Sequence, residues 1–143
     1  MKFFHYLLLC LSLFFTSSLL ISCGTETDDN PRFFRFTHES DDINYTFMAQ
    51  TSDDVVIAKI EEELEKPFDE RTMHINGPIE RGEVDYNSNW SWHFVESEWD
   101  LVSISAEVCD GRPSFVEDDL DYWVDQVGRF CPWSSRVEAE INR

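Results

Sequence analysis

The feature that most limits the fold of this chain is an apolar segment at its start. Residues 3–21 contain no Asp or Glu, and Lys2 supplies a positive charge just before them. A basic start, an apolar run and a small residue at the end of that run are the parts of a cleavable export signal. We therefore predict that residues 1–22 form a signal peptide and that a single domain folds within residues 31–143. That length is enough for one hydrophobic core of ordinary size.

The apolar segment ends in Leu20-Ile21-Ser22-Cys23, which resembles the lipobox of bacterial lipoproteins. This motif has branched apolar residues, then a small residue, then a thiol that can carry a diacylglycerol thioether. The resemblance predicts lipidation of Cys23 by fatty acids such as palmitate. Anchoring would then be stable, since each buried methylene contributes about 0.8 kcal/mol. Two alternatives remain: an uncleaved membrane helix, for which about 20 apolar residues suffice, and an ordinary secretory signal.

Residues 23–30 follow as a polar, acidic tether. Gly24 stands where an Asp would resemble the signal that retains lipoproteins in the inner membrane. We therefore predict a location in the cell envelope, at the outer membrane. The acidic run at residues 25–30 resembles the export signal of some surface-exposed lipoproteins, and a solvated linker is the alternative interpretation.

The charge of the chain limits its partners. All 29 Asp and Glu residues follow the signal, and removal of Lys2 leaves ten basic residues, for a net charge of −19. Nucleic acids and anionic lipid headgroups require a basic surface, so neither is expected to bind. The expected partners are the membrane, reached through the N-terminal lipid, and a protein, a carbohydrate or a divalent cation.

The four cysteines divide by position. Cys10 lies in the signal and Cys23 is the lipidation site, which leaves Cys109 and Cys131 as an even pair in an oxidising compartment. The pair predicts one disulfide. It would close a loop of about 23 residues and contribute about 3 kcal/mol in the chain-entropy model. The histidines do not have the spacing of a zinc site, so no metal or cofactor is expected.

Hydrophobic periodicity predicts an α+β domain with a mainly antiparallel sheet of about five strands and two amphipathic helices. Ser52 is predicted as the N-cap of the first helix, which ends before Pro67. Pro113 fits the first position of the second helix, and Gly128 its end. Alternating polarity, clearest in the last segment, predicts strands near residues 34–36, 43–49, 73–75, 90–94 and 102–108.

The second half of the chain contains a set of short motifs: His74-Ile75-Asn76-Gly77, Tyr86-Asn87, Trp90-Ser91-Trp92-His93-Phe94, Glu107-Val108-Cys109-Asp110, Val116-Glu117-Asp118, Leu120-Asp121 and Cys131-Pro132-Trp133-Ser134-Ser135. Together they resemble a small domain family named for the N-terminal region of a slime-mould calmodulin-binding protein. The resemblance covers residues 33–140 and implies a compact domain of exported or multidomain proteins. It implies no catalytic residue. Its calmodulin connection is not carried over, because an exported bacterial protein would not meet calmodulin.

Aromatic and acidic side chains are the candidates for a binding site. Trp99 lies between two acidic residues in a predicted turn and is the candidate for an exposed aromatic residue that faces a ligand. Glu117, Asp121 and Asp125 recur at a spacing of four along the second predicted helix. Like charges at that spacing destabilise a helix, so a divalent cation or a basic partner is a candidate reason for them. A solvated acidic face is the alternative.

The sequence contains no motif that specifies catalysis. It lacks G-x-S-x-G, H-E-x-x-H and a phosphate-binding glycine loop. We expect a membrane-anchored, non-enzymatic binding or interaction domain whose ligand is not specified. The alternatives are a small carboxylate-dependent hydrolase and an inhibitor of a secreted protease. Converging carboxylates with a raised pKa would favour the hydrolase, an exposed apolar-aromatic patch would favour binding, and a rigid loop beside the disulfide would favour inhibition.

Overall fold

The computed structural model describes residues 30–38 and 42–143. The predicted signal peptide, Cys23 and nearly all of the predicted tether lie outside the described residues. No described helix is long and apolar enough to cross a membrane. The elements in chain order are β1 Arg32–Thr37, β2 Phe47–Thr51, α1 Asp54–Leu64, β3 His74–Asn76, β4 Ile79–Arg81, β5 Trp92–Phe94, β6 Asp100–Val102, α2 Pro113–Asp118, a π-helix Asp121–Val127 and β7 Arg136–Ile141.

A three-stranded antiparallel sheet brings together the first and last described strands. Its strand order is β2-β1-β7, and Phe34 lies opposite Ala49 on one side and Glu140 on the other. Because side chains alternate across a strand, Phe34 and Phe36 point to the same face, where both are fully buried. Helix α1 contacts β6 and β7, with Ile60 fully buried.

Two short antiparallel pairs complete the described sheets. Strand β3 pairs with β6, and β4 pairs with β5. A bridge between Gly77 and Phe130 joins the end of β3 to the segment after the π-helix. These helices and antiparallel strands confirm the predicted α+β class. The described strands number seven and are divided among three sheets.

The core is built largely from aromatic rings. Phe47 contacts Trp92, Phe94 and Phe130, with ring centroids 6.0, 5.7 and 6.1 Å apart. Tilted and edge-on pairs of this kind contribute about 0.5–1.5 kcal/mol each beyond the burial of their surface. The predicted core tryptophans are at most 7% exposed, namely Trp90, Trp92 and Trp123.

Two predicted boundaries in the first half of the domain are wrong. The second strand begins at Phe47, because Ile43–Tyr45 forms a 3-10 turn that is capped by Asp42. The Asp42 carboxylate accepts the N–H of Asn44 at 2.9 Å, a local bond that competes with strand pairing. The N-cap of α1 is Asp53 rather than Ser52, and a carboxylate there also interacts favourably with the helix dipole.

The strand predicted at 102–108 is mostly wrong. Strand β6 ends at Val102, and the chain continues as a loop to a 3-10 turn at Glu107–Cys109. Ile104 and Val108, which the alternation assigns to a buried face, are 84% and 61% exposed. The side chain of Ser105 explains the difference, because its hydrogen bonds to two other segments replace the pairing of a strand.

The second predicted helix is divided in two. After α2 the backbone leaves the helical region at Asp119, with φ −146° and ψ 69°. The π-helix then runs to Gly128, whose φ of 70° is the left-handed conformation of a glycine C-cap. Trp123 of the π-helix packs edge-on against Phe130 at 5.6 Å, so the apolar face of this segment is buried as predicted.

Strand β7 is absent from the predicted elements. Val137, Ala139 and Ile141 alternate there with charged residues, which is the pattern of a half-buried strand. Its pairing with β1 places Arg136 at the edge of the site described next.

Candidate functional site

A disulfide fixes two loops beside each other. Cys109 and Cys131 are bonded, with Cα atoms 5.1 Å apart, which confirms the predicted disulfide. The N–H of Cys131 also donates to the carbonyl of Cys109 at 2.8 Å. The loop that follows β6 and the loop that precedes β7 are therefore held together at their ends.

These loops enclose a small cavity of about 230 Å³, which we call the Trp133 pocket. His74 enters it from β3, Trp133 from the segment after the disulfide, and Arg136 from the start of β7. The pocket is lined by Thr72, His74, Ser103, Ile104, Ser105, Trp133 and Arg136.

The Ser105 hydroxyl connects two walls of the pocket. Its Oγ lies 2.7 Å from Nε2 of His74 and accepts the indole N–H of Trp133 at 2.7 Å. Burial, and to a smaller extent Arg136, lower the pKa of His74, and Asp110 opposes this shift. His74 is therefore neutral at pH 7. A neutral ring with its proton on Nδ1 accepts the Ser105 O–H, so all three side chains are satisfied.

A serine and a histidine at this distance also occur in hydrolases, where the histidine activates the hydroxyl. In the Trp133 pocket, however, the indole N–H of Trp133 occupies a lone pair of the Ser105 oxygen. That bond stabilises electron density that a nucleophile would use for attack. The Ser105 hydroxyl is better explained as a link that fixes the loop and the indole.

Arg136 carries a positive charge that no described carboxylate pairs with. Its Nε donates to the carbonyl of Arg71 at 2.8 Å, and its Nη1 donates to the carbonyls of Trp133 and Ser135. None of the hydrogen bonds among the described residues uses its Nη2. Burial lowers the pKa of Arg136, and the charge of Glu63 opposes this shift.

Exposed apolar side chains surround the opening of the pocket. Ile104 is 84% exposed, Val108 61% and Trp133 39%. Large apolar side chains clustered at a surface mark interaction sites more often than those that occur singly. The disulfide and the Ser105 bonds hold these side chains outward.

Trp99 does not have its predicted exposure. It is 2% exposed, its indole N–H donates to the carbonyl of Gln50 at 2.8 Å, and its ring meets Phe36 edge-on at 5.9 Å. Its charged neighbours in the sequence gave a misleading signal, because the chain enters β6 immediately after it.

Each residue of the predicted acidic stripe has a partner within the protein. Asp121 and Asp125 both pair with Arg81 of β4 at 2.6 Å. Glu117 accepts the N–H and the O–H of Ser91, each at 2.9 Å. No group of three His, Cys, Asp or Glu that could hold a metal ion occurs in the described part of the chain. The stripe is therefore explained by pairing with β4 and the segment before β5.

His74, Ser105 and Arg136 were not among the candidate site residues. For His74 and Trp133 a signal exists, because both lie in the motifs that carry the family resemblance. Ser105 and Arg136 have no such signal, since their roles depend on contacts with residues 31 and 65 positions away.

Comparison with known proteins agrees with the motifs. A search of curated proteins found no match, and neither did a search of solved structures. The family model of the N-terminal domain named for the slime-mould calmodulin-binding protein matches residues 30–143. Since this match covers most of the chain and the whole of the described domain, the chain belongs to that N-terminal domain family.

Proposed function

We propose that the chain is an exported protein, anchored by a lipid on Cys23, whose domain binds a ligand at the Trp133 pocket without catalysing a reaction. One observation carries the proposal: exposed Ile104 and Trp133 side chains flank a cavity into which His74, Ser105 and Arg136 converge. An apolar rim with a few convergent polar groups is the usual composition of a ligand site.

The rigidity of the site supports the same proposal. Without a constraint, an exposed indole would collapse onto the nearest apolar surface. Trp133 is instead held by its bond to Ser105, by the Asp110 carboxylate, which accepts its backbone N–H at 2.8 Å, and by the adjacent disulfide. Preorganisation of this kind lowers the entropic cost of binding.

A carboxylate-dependent hydrolase has less support. Its general acid needs a raised pKa. Hydrogen bonds from arginines lower the pKa of Asp125 and of Glu140. Burial acts to raise the pKa of Glu63, yet its bonds to Lys66 and to two backbone N–H groups outweigh burial and leave that pKa lowered. Groups that ionise this readily do not donate protons at neutral pH, and the Trp133 pocket itself is lined by no carboxylate.

Binding is tested with the acylated full chain immobilised from detergent and exposed to solubilised cell-envelope extract. The variants are Trp133→Ala and Tyr122→Ala, because both side chains are 39% exposed and only Trp133 lines the pocket. We expect wild type and Tyr122→Ala to retain the same species, and Trp133→Ala to retain it at least about tenfold less. Equal retention by all three would exclude the pocket as the binding site.

Anchoring is tested separately with Cys23→Ser. We expect this variant to lose labelling by radioactive palmitate and to accumulate as an unprocessed precursor, because the thiol that accepts the lipid is absent. Labelling that persists in Cys23→Ser would exclude the lipid anchor and leave the pocket proposal unaffected.

Inhibition of a secreted protease is a second candidate, favoured by the loop at 103–108. Ile104 is 84% exposed, Ser105 is held from inside, and Cys109 ends the loop at the disulfide. A rigid exposed loop with an aliphatic side chain suits a protease with a small apolar specificity pocket, as in elastase. We expect elastase to be inhibited by wild type and not by Ile104→Asp. Full elastase activity at micromolar wild type would exclude this candidate.

A further inference from the structure

We infer that the ligand of the Trp133 pocket is a small carboxylate with an apolar body, the class to which the C-terminal residue of an aliphatic peptide belongs. The inference rests on the proposed function and names the ligand class. It is carried by an unneutralised arginine, by the donors around it and by the apolar rim.

Positive charge is concentrated at this site in a strongly acidic chain. The sequence has 29 acidic against 11 basic residues, and most described cations pair with carboxylates. Arg136 and Arg71 instead donate to backbone carbonyls. A carbonyl satisfies the hydrogen bond but carries no net charge, so both guanidinium groups keep their full positive charge.

The remaining donor of Arg136 suits a carboxylate. Its Nε and Nη1 are engaged by carbonyls, and Nη2 is the guanidinium nitrogen without a bond among the described residues. An N–H to carboxylate bond is about twice as strong as a neutral one. Asp69 lines a separate cavity of about 190 Å³ that shares Arg136 and Arg71, so the acidic group lies outside the Trp133 pocket.

The rim and the volume define the body of the ligand. Ile104 and Trp133 offer apolar surface at the opening. The volume of about 230 Å³ is below the roughly 300–1,000 Å³ of sites for drug-sized ligands. One residue with an aliphatic side chain fits these limits, and an acidic sugar would leave its hydroxyls against the apolar rim.

The test follows the Trp133 indole N–H by NMR in the acylated full chain in detergent, with the resonance assigned by its absence in Trp133→Phe. The probes are N-acetyl-leucine, its neutral analogue N-acetyl-leucinamide, and glucuronate. We expect N-acetyl-leucine to shift the resonance and to bind at least about tenfold more tightly than the amide, because the amide lacks the charge that Arg136 recognises. The amide comparison uses wild-type protein, so it does not depend on a variant that folds poorly.

Arg136→Gln should remove the preference for the acid over the amide, and Arg136→Lys should keep part of it. Arg129→Gln is the matched control, since Arg129 bonds to Asn76 outside the pocket and carries the same charge. Equal binding of acid and amide would overturn the carboxylate inference and leave the proposed binding function standing. Tighter binding of glucuronate would overturn the apolar body. No shift with any probe would overturn the whole inference, while envelope capture through Trp133 would still decide the proposed function.

Discussion

Gly77 occupies a position that a larger residue cannot share. A Cβ atom at Gly77 would lie 2.3 Å from Cβ and 2.6 Å from Cα of Trp99. The backbone of Gly77 is also fixed, because its N–H and carbonyl both bond to Phe130, at 3.2 and 2.9 Å. Close approach of two backbones is therefore the physical reason for a glycine in the motif that starts at His74.

We predict that Gly77→Ala destabilises the domain by about 1–3 kcal/mol or more, the range of overpacked cores. The added methyl group would displace Trp99 from Phe36 and from its bond to Gln50. Chemical denaturation monitored by tryptophan fluorescence measures the loss. Gly82→Ala is the control, since a Cβ there meets His93 at 3.6 Å and only the positive φ opposes it. A Gly77→Ala protein as stable as wild type would contradict the close packing.

Residue-scale prediction from the sequence succeeds where chemistry is local. Cys109 and Cys131 could be paired by count and compartment alone. Trp99 could not be placed, because whether its ring turns inward depends on Phe36 and Gly77, which are distant in sequence. Ser105 is one of many serines, and its role exists only after β3 and the disulfide bring His74 and Trp133 beside it.

At the scale of elements, the disulfide holds the site more than it holds the sheets. It joins the ends of the two loops that line the Trp133 pocket, while β1, β2 and β7 pair independently of it. We predict that the double variant Cys109→Ser/Cys131→Ser loses about 2–5 kcal/mol of unfolding free energy. Proteolysis after Ile104 and Val108 should accelerate before the sheet opens, because the loops open first.

Limited proteolysis with mass spectrometry, beside equilibrium denaturation, measures both effects. Reduction of wild type should reproduce the double variant, which distinguishes loss of the bond from the effect of the serines. Cleavage that begins in β1 or β7 instead of the loop at 103–108 would contradict this order of opening.

The same loop shows why strand prediction failed after Val102. Apolar and polar residues alternate from 102 to 108, but alternation predicts only which side chains can share a face. It does not show whether a partner strand exists. Strand β3 ends at Asn76, so β6 has no partner beyond the three residues it pairs with. β7 has the opposite history, since its alternation is weaker but β1 is available to pair with it.

At the scale of the whole molecule, ionisation of buried groups should produce two separate losses of stability on acidification. The pKa of His74 is lowered from its ordinary value of 6.5 by burial and by Arg136, against Asp110. Just below pH 6.5 the unfolded chain therefore binds a proton that the folded chain does not. The free energy of unfolding falls there by up to about 1.4 kcal/mol per pH unit. Glu63 and Glu140 have a pKa lowered from 4.5, so their stabilisation is present above pH 4.5 and is lost below it.

We predict that His74→Gln removes the first loss and leaves the second. A glutamine amide can still donate to the Ser105 oxygen, but it takes up no proton in this pH range. Calorimetric melting temperatures between pH 8 and pH 3 measure both steps in wild type and variant. His93→Gln is the control, because His93 lies outside the pocket and bonds to Glu80 at 3.0 Å. A fall in melting temperature between pH 7 and pH 5 that is unchanged in His74→Gln would mean that another group takes up the proton, and that a buried neutral His74 does not govern the stability of the site near neutral pH.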